Sequence, residues 1–356
     1  METKKSISCP ACDSIEVVPA KRFCISATDA ANHFVLSNSN SDRYSALVRH
    51  INYLWNDNRC ELMRCASCEL DFSNPFVAGD AAFYNLAAHA DYPREKWEFR
   101  QTERVVKLMD TTGKRALEIG SGYGSFLKMV SPQCFERSAV VAVEYNEEAC
   151  KRLSRSGYHV ESADIRSDTF LKYDSTFDFV FMFQVLEHMD SLDALASRIQ
   201  MITTDGAHIF IAVPNRHRIL FNESHVSLLD VPPNHISMWS RRALECFGRK
   251  LGCLVQDFRT EPTSWRNFLM QDVVYSHMRR AQQPGSIANV IRSRPRTQTR
   301  RLLEAALAAV YIPARFPHWL DAATSQHSLG GSVWIHLTRT RQQLPPPRTP
   351  DPSLPV

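Results

Sequence analysis

No run in this chain approaches the roughly 18 apolar residues that a membrane-spanning helix requires, so an integral anchor is not expected. Nor does an apolar stretch follow the lysine-bearing start, as it would in a secretory leader, and a cytoplasmic, reducing setting is the expectation. A large excess of one charge is missing too. The 42 basic and 38 acidic side chains leave a net charge of +4, too small at 356 residues for a general nucleic-acid binder. The densest basic stretch, Arg279 to Arg301, holds seven arginines and no acid. It has no aromatic residue for bases to stack on, so no specific nucleic-acid partner is expected. What is present is ordinary globular material. A hydrophobic share of 44% allows a full core, and the length suits one large α/β domain with smaller attachments.

Ala116-Leu-Glu-Ile-Gly-Ser-Gly-Tyr-Gly124 reads as a buried strand that breaks into a glycine-rich turn and a helix. Val140-Val-Ala-Val-Glu144 reads as a second buried strand ending in a carboxylate, twenty residues after Gly124. Glycines let a backbone approach a ligand closely, and a carboxylate across the crevice can accept from a ribose diol. An adenosine-containing cofactor follows. The dinucleotide fingerprint is incomplete, because Ser125 stands where its last glycine or alanine would be. Glu118, two residues before the first glycine, would repel a pyrophosphate and suits a cationic ligand such as S-adenosylmethionine. The bland alternatives are a surface acid at Glu118 and a dipole-favoured helix N-terminal carboxylate at Glu144.

In its E-x-G-x-G-x-G form this stretch resembles the class I S-adenosylmethionine-dependent methyltransferases. The resemblance continues in order through Ser162-Ala-Asp164-Ile165, Phe177–His188 and His208–Asn215, over roughly residues 95–260, and returns at Ser328–Arg339. It implies a Rossmann-like, seven-stranded doubly wound sheet whose last strand is antiparallel. Cofactor contacts are then expected at Glu118, Gly120, Ser121, Gly122, Tyr123, Gly124, Glu144, Tyr145, Asp164, Ile165 and Gln184, with Asp164 near the adenine amino group.

Cys9-Pro-Ala-Cys12 and Cys65-Ala-Ser-Cys68 are two knuckles that together supply the four thiolates of a tetrahedral, structural zinc site. A reducing compartment favours metal over disulfides. The spacer from Asp13 to Arg64 exceeds the usual ribbon spacing of roughly 15–20 residues, so Cys24 and Cys60 stand as substitute ligands. Cys134, Cys150, Cys246 and Cys253 lack metal spacing and read as buried thiols. The pairing of a zinc ribbon with this domain resembles a bacterial subgroup of small-molecule methyltransferases that includes sugar C-methyltransferases.

The expected organisation is a zinc-ribbon-like module with a long polar spacer at 1–80 and a methyltransferase domain at 81–261. A basic and apolar helical insertion at 262–327, the last strand at 328–341 and a proline-rich disordered tail at 342–356 follow. A helix is expected over Pro93–Asp110, with Trp97, Val105, Val106 and Leu108 on its apolar side. Another is expected over Ser240–Leu251, capped by Ser240 and stopped by Gly252. The insertion reads as a cover for the active site, a homodimer contact or a peripheral membrane contact.

The resemblance puts the methyl group beside the loops after the fourth and fifth strands. A base there would be His235, held in the rigid turn Val231-Pro-Pro-Asn-His-Ile-Ser-Met-Trp239, with His188 and His225 as further candidates. His188 also reads as a helix-capping or packing residue. The expected partner is a small molecule, a saccharide or a nucleotide-linked sugar. RNA or protein methylation is the alternative, weakened because Gln184-Val-Leu-Glu187 replaces the Asn/Asp-Pro-Pro-Tyr/Phe run of amino-directed nucleic-acid enzymes. A non-catalytic binding protein is the third reading.

Overall fold

Short aliphatic and aromatic runs, bounded by glycine or turn residues, become the central strands because both of their faces are covered. The computed structural model of the protein describes residues 7–35, 41–87, 95–225 and 231–340. Its N-terminal part runs β1 (Val17–Ser26), α1 (Ala27–Phe34), α2 (Ser41–Trp55), β2 (Arg59–Cys65), β3 (Asp71–Asn74) and α3 (Ala81–Leu86). The larger part then alternates strand and helix. It comprises α4 (Trp97–Val106), β4 (Ala116–Ile119), α5 (Ser125–Cys134), β5 (Val140–Val143), α6 (Glu147–Arg155) and β6 (His159–Glu161). There follow β7 (Phe177–Phe183), α7 (Leu192–Ile202), β8 (Thr203–Pro214), α8 (Arg216–His225), β9 (Ser237–Met238), α9 (Arg241–Lys250) and β10 (Cys253–Thr260). Four helices, α10 (Trp265–Gln282), α11 (Ile287–Arg292), α12 (Gln298–Val310) and α13 (Phe316–Thr324), precede the last strand β11 (Ser332–Arg339).

Seven strands form one sheet in the order β10-β11-β8-β7-β4-β5-β6. Only β11 is antiparallel to its neighbours; the other pairings are parallel. The strand order reverses between β4 and β7, and in open α/β sheets ligands bind at such a switch point beyond the strand ends. Alternate residues of β7 serve the two faces. Phe179, Phe181 and Phe183 pack with Phe126 of α5 and Phe99 of α4, whereas Val180 and Met182 join the opposite core with Ile209 and Ile211. Phe126 meets Phe181 and Phe183 at ring-centroid distances of 4.8 Å, in the edge-to-face geometry that aromatic quadrupoles favour. The buried Trp334 indole donates to Thr102 Oγ1 at 2.8 Å, fastening α4 to β11.

The spacer between the cysteine knuckles is not merely polar. Its α1 and α2 bury Ala30, Ala31, Leu47, Ile51 and Trp55 against one another and against Phe83 of α3. Small alanines and scattered apolar positions in an Asn/Ser-rich segment concealed this helical stripe. Ser37–Asn40 lie outside the described residues. The knuckles share a core with Trp239, Leu244 and Phe247, and β9 completes a second, four-stranded sheet β1-β2-β3-β9.

The helix expected from Pro93 to Asp110 ends at Val106, and Leu108 is 90% exposed because it lies past the last helical turn. Ser240 caps α9 as expected, its side chain accepting from the Ala243 amide at 3.0 Å, and Gly252 follows at φ +69. The expected tail lies outside the described residues.

Candidate active site and thiolate cluster

The turn after β4 is tied to β5, with the Gly120 and Ser121 amides both donating to the Val143 carbonyl at 2.9 and 3.1 Å. Gly120 sits at φ +73, and a Cβ there would lie 2.4 Å from Val185 Cγ2, so only glycine fits. Gly124, at φ +71, is the N-cap of α5 and would drive a Cβ to 2.5 Å from Leu153 Cδ2. The Glu144 carboxylate is the centre of the loop. Its Oε2 accepts from Gly122 N at 2.7 Å, and its Oε1 accepts from Tyr145 N and Asn146 N at 2.8 Å each. The Tyr123 ring lies under the Arg152 guanidinium at 4.5 Å.

Glu118, the third residue of β4, is 3% exposed, and its Oε2 has no hydrogen-bond partner among the described residues. Burial pushes its carboxyl well above the ordinary carboxylate range; Lys96 opposes that and Glu144 adds to it. Ser121 Oγ, which donates to the Glu118 carbonyl, closes the turn beneath it. A buried carboxylate, an unfilled acceptor and a loop where side chains do not fit suit a ligand carrying positive charge. These residues fit the ammonium and sulfonium of S-adenosylmethionine.

Asp164 lies after β6 and is clasped by Arg166, which donates from its backbone amide (2.7 Å), Nε (2.8 Å) and a terminal nitrogen (2.6 Å). Burial raises the Asp164 carboxyl, but Arg166 outweighs it and holds the group below its ordinary value. Arg166 also reaches Asp190 Oδ1 at 2.6 Å, so Asp164 belongs to a three-member ion network. Ile165 beside it is fully buried.

Gln184 follows β7 at φ +58 and aims its amide Nε2 at Glu98 Oε1 (3.0 Å) and Ser332 Oγ (3.2 Å). Glu98 is buried on α4, and Glu261 accepts from Ser332 N at 3.1 Å. Burial raises the Glu261 carboxyl, and the nearby Glu98 adds to it. Sequence reasoning missed Glu98, Glu261 and Ser332. They come from a helix before the glycine motif, the end of β10 and the start of β11, and no spacing links them.

The structure brings His188 and His235 together with their rings edge to face, centroids 4.6 Å apart. Glu187, 1% exposed, lies beside them, and donor atoms of the three residues all fall within 4.8 Å of one another. His188 Nδ1 is 2.8 Å from the Asn234 carbonyl. The Ile236 amide donates to the Glu187 carbonyl at 2.9 Å, which fixes the His235 turn to the end of β7. His225 ends α8, and its side chain lies outside the described set. Asn215, also at the end of β8, serves the frame, donating to the Ser328 and Gly330 carbonyls at 2.8 and 2.9 Å.

Cys9, Cys12, Cys65 and Cys68 converge, with their sulfurs all within 4.8 Å. Cys9 and Cys68 sulfurs are 3.5 Å apart, and those of Cys12 and Cys65 are 3.6 Å apart. Sulfurs around a tetrahedral zinc, each at about 2.3 Å, stand about 3.8 Å apart, so the donor set fits that ion. The Cys68 amide also donates to Cys65 Sγ at 3.4 Å, a bond that steadies a thiolate. Neither substitute joins this group. Cys24 is exposed on β1, and Cys60 is buried on β2, where burial pushes its thiol up to about 12. Cys134 and Cys253 are buried, whereas Cys150 and Cys246 are only half-buried.

Residues 94–256 match a family model described as a methyltransferase domain. No curated protein matches the chain. Among solved structures it is similar to a SAM dependent methyltransferase from Archaeoglobus fulgidus, with 18% identity, TM-score 0.40 and coverage of 68% of this chain and 96% of that one. It is similar to an S-adenosylmethionine dependent methyltransferase from Mesorhizobium loti, with 11% identity, TM-score 0.41 and coverage of 69% and 100%. It is also similar to the [4+2]-cyclase SpnF, with 14% identity, TM-score 0.40 and coverage of 70% and 85%.

Proposed function

From a class I S-adenosylmethionine-dependent methyltransferase domain at residues 94–256, we propose that this chain methylates a small polar molecule, a saccharide or its nucleotide-linked precursor, on oxygen or carbon. One observation carries the cofactor end of the reading: the buried Glu118 carboxylate, with an unfilled acceptor beneath the glycine loop. Bound S-adenosylmethionine supplies an electrophilic methyl group on a cationic sulfur. Glu118 balances positive charge at the methionine end. Glu144 offers its remaining lone pairs to the ribose hydroxyls while its amide bonds keep the loop in shape. Asp164 and Ile165 border the adenine, and Gln184, held by Glu98 and Ser332, orients the donor at the mouth.

Transfer from a sulfonium neutralises charge, so the chain's main task is to align donor and acceptor. A hydroxyl or carbon acid must also lose a proton, and His235 is the base of this reading, with His188 beside it. The saccharide assignment is supported by the four-cysteine module joined to the domain, a pairing that resembles a subgroup of small-molecule methyltransferases that includes sugar C-methyltransferases. Calorimetry with S-adenosylmethionine and with its homocysteine product tests the cofactor. Labelled cofactor incubated with cell-extract fractions, followed by mass identification of the labelled product, tests the acceptor. Absence of binding ends the reading.

The insertion carries a second part of this proposal, contact with an anionic membrane surface. It exposes Leu302, Val310, Phe316 and Leu320, and it also exposes Arg294, Arg296 and Arg301. Like charges disfavour contact with a second copy of this insertion, whereas they suit lipid headgroups. No helix among the described residues is long and apolar enough to cross a membrane.

A further inference from the structure

We infer that Glu187, His188 and His235 form a binding site for a first-row divalent cation, distinct from the four thiolates and set at the acceptor end of the pocket. Two imidazoles and one carboxylate are the donor set that such ions take while keeping open positions for another ligand. The Asn234 carbonyl can only accept, so His188 Nδ1 carries the hydrogen at that 2.8 Å contact. In the neutral ring the lone pair is then left on Nε2, which faces the Glu187 carboxylate at 3.9 Å. A metal-ligating histidine characteristically gives its other N–H to a backbone carbonyl in this way, which fixes tautomer and ring plane. The Tyr84 hydroxyl, 3.3 Å from the same nitrogen, adds to the restraint.

Glu187 supplies the negative charge from a 1% exposed position beside the two imidazoles. Donors around one small cation at about 2.0–2.1 Å stand roughly 3.0–3.4 Å apart. The present separations run up to 4.8 Å, so holding one ion requires the His235 and Glu187 side chains to move inward. All three residues are fixed from outside the cluster. The short helical turn Leu186–His188 follows β7 directly, Val185 packs on Gly120, and the Glu187 carbonyl holds the Ile236 amide. The site's existence is independent of the proposed methyl transfer, and only its role rests on that reading. A cation here would coordinate an acceptor oxygen and ease its ionisation. It would replace His235 as the means of activating the acceptor, since the ligating lone pair of His235 could not also take the proton.

The test adds Co2+ to zinc-loaded, full-length protein, removes loosely held ions by gel filtration and counts both metals by elemental analysis. The expected result is about one cobalt per chain beyond about one zinc, as one such site requires. Glu187→Gln and His235→Gln should each lose the cobalt while zinc stays at the same level, which reports an intact fold. Should one variant fail to hold zinc, His188→Gln takes its place. A wild-type chain that keeps no cobalt, or variants that keep as much as wild type, overturn the inference. Activity lost in His235→Gln with no cobalt in the wild type also overturns it and leaves His235 as a base acting alone. Cobalt bound by a chain that ignores S-adenosylmethionine would uphold the site and remove the methyltransferase reading.

Discussion

Gly122 N and Glu144 Oε2 meet at 2.7 Å across the crevice between β4 and β5, so the acid opposite the glycine loop is also the loop's clasp. Glu144 shapes the loop through three backbone amides, and under the proposed function it keeps its remaining lone pairs for the ribose.

Replacing Glu144 separates those tasks only in part. Glu144→Ala should weaken S-adenosylmethionine binding by about 1–3 kcal/mol through lost charged hydrogen bonds. The lost amide contacts should also lower the Tm of the free protein. Glu144→Gln retains an acceptor for Gly122 and should give a smaller Tm change with a comparable affinity loss. Calorimetry and thermal melts on both variants check this, and full affinity in either contradicts the ribose assignment.

Glu118 makes binding pH-dependent in one direction. Its carboxyl in the free protein titrates above the ordinary range because burial disfavours the charge. A bound cation favours the ionised form, so affinity rises with pH through that raised value and then levels off, with proton release below it. Free-protein stability runs the other way. The folded state holds the proton longer than the unfolded chain, so stability falls as pH climbs from the unfolded value through the raised one. Glu118→Gln should abolish both trends, as read by calorimetry in buffers of different ionisation enthalpy and by Tm against pH.

The thiolate cluster should hold about one zinc per chain, as a single four-sulfur site requires. Cys65→Ser or strong chelation should remove it, with a loss on the order of 10 kcal/mol for the elements it ties together. Cys24→Ser and Cys60→Ser should leave the zinc count unchanged. Elemental analysis of the purified variants decides, and a folded, metal-free wild type would dismiss the ribbon.

The insertion should partition onto anionic vesicles and not onto zwitterionic ones. Each arginine near such a surface contributes about 1 kcal/mol. Changing Arg294, Arg296 and Arg301 to Gln should therefore weaken partitioning by about two orders of magnitude, and high salt should weaken it too. Vesicle flotation reads both. Equal flotation on the two vesicle types, or none, rejects the membrane assignment.

The central strands were legible because buried parallel strands leave unbroken apolar runs such as Val140–Val143, and glycines punctuate the loop that follows β4. The thiolate quartet was legible from the knuckle spacing, and its convergence follows the sequence. Other parts had no local signal. Glu98 reads as one more charge on an amphipathic helix, and only the strand order brings it against Gln184 and Ser332. The Arg166 clasp on Asp164 is two residues long in sequence but depends on Asp190 arriving from beyond β7. Leu108 followed the helical period of α4 and failed because the helix stops first. The two-residue strand Ser237–Met238 is too short for any periodicity to register.

That small strand gives the N-terminal module a purpose beyond bulk. Asp71 and Phe72 pair with Met238 and Ser237, and the Ser73 amide donates to the carbonyl of Ile236, the residue directly after His235. The Cys68 carbonyl, in turn, takes the Ser240 hydroxyl at 2.9 Å. The imidazole is thus moored to the four-cysteine module at a distance of one residue. Under the proposal that the four cysteines hold zinc, stripping that ion would slacken the mooring, and its loss would register first as a displaced His235.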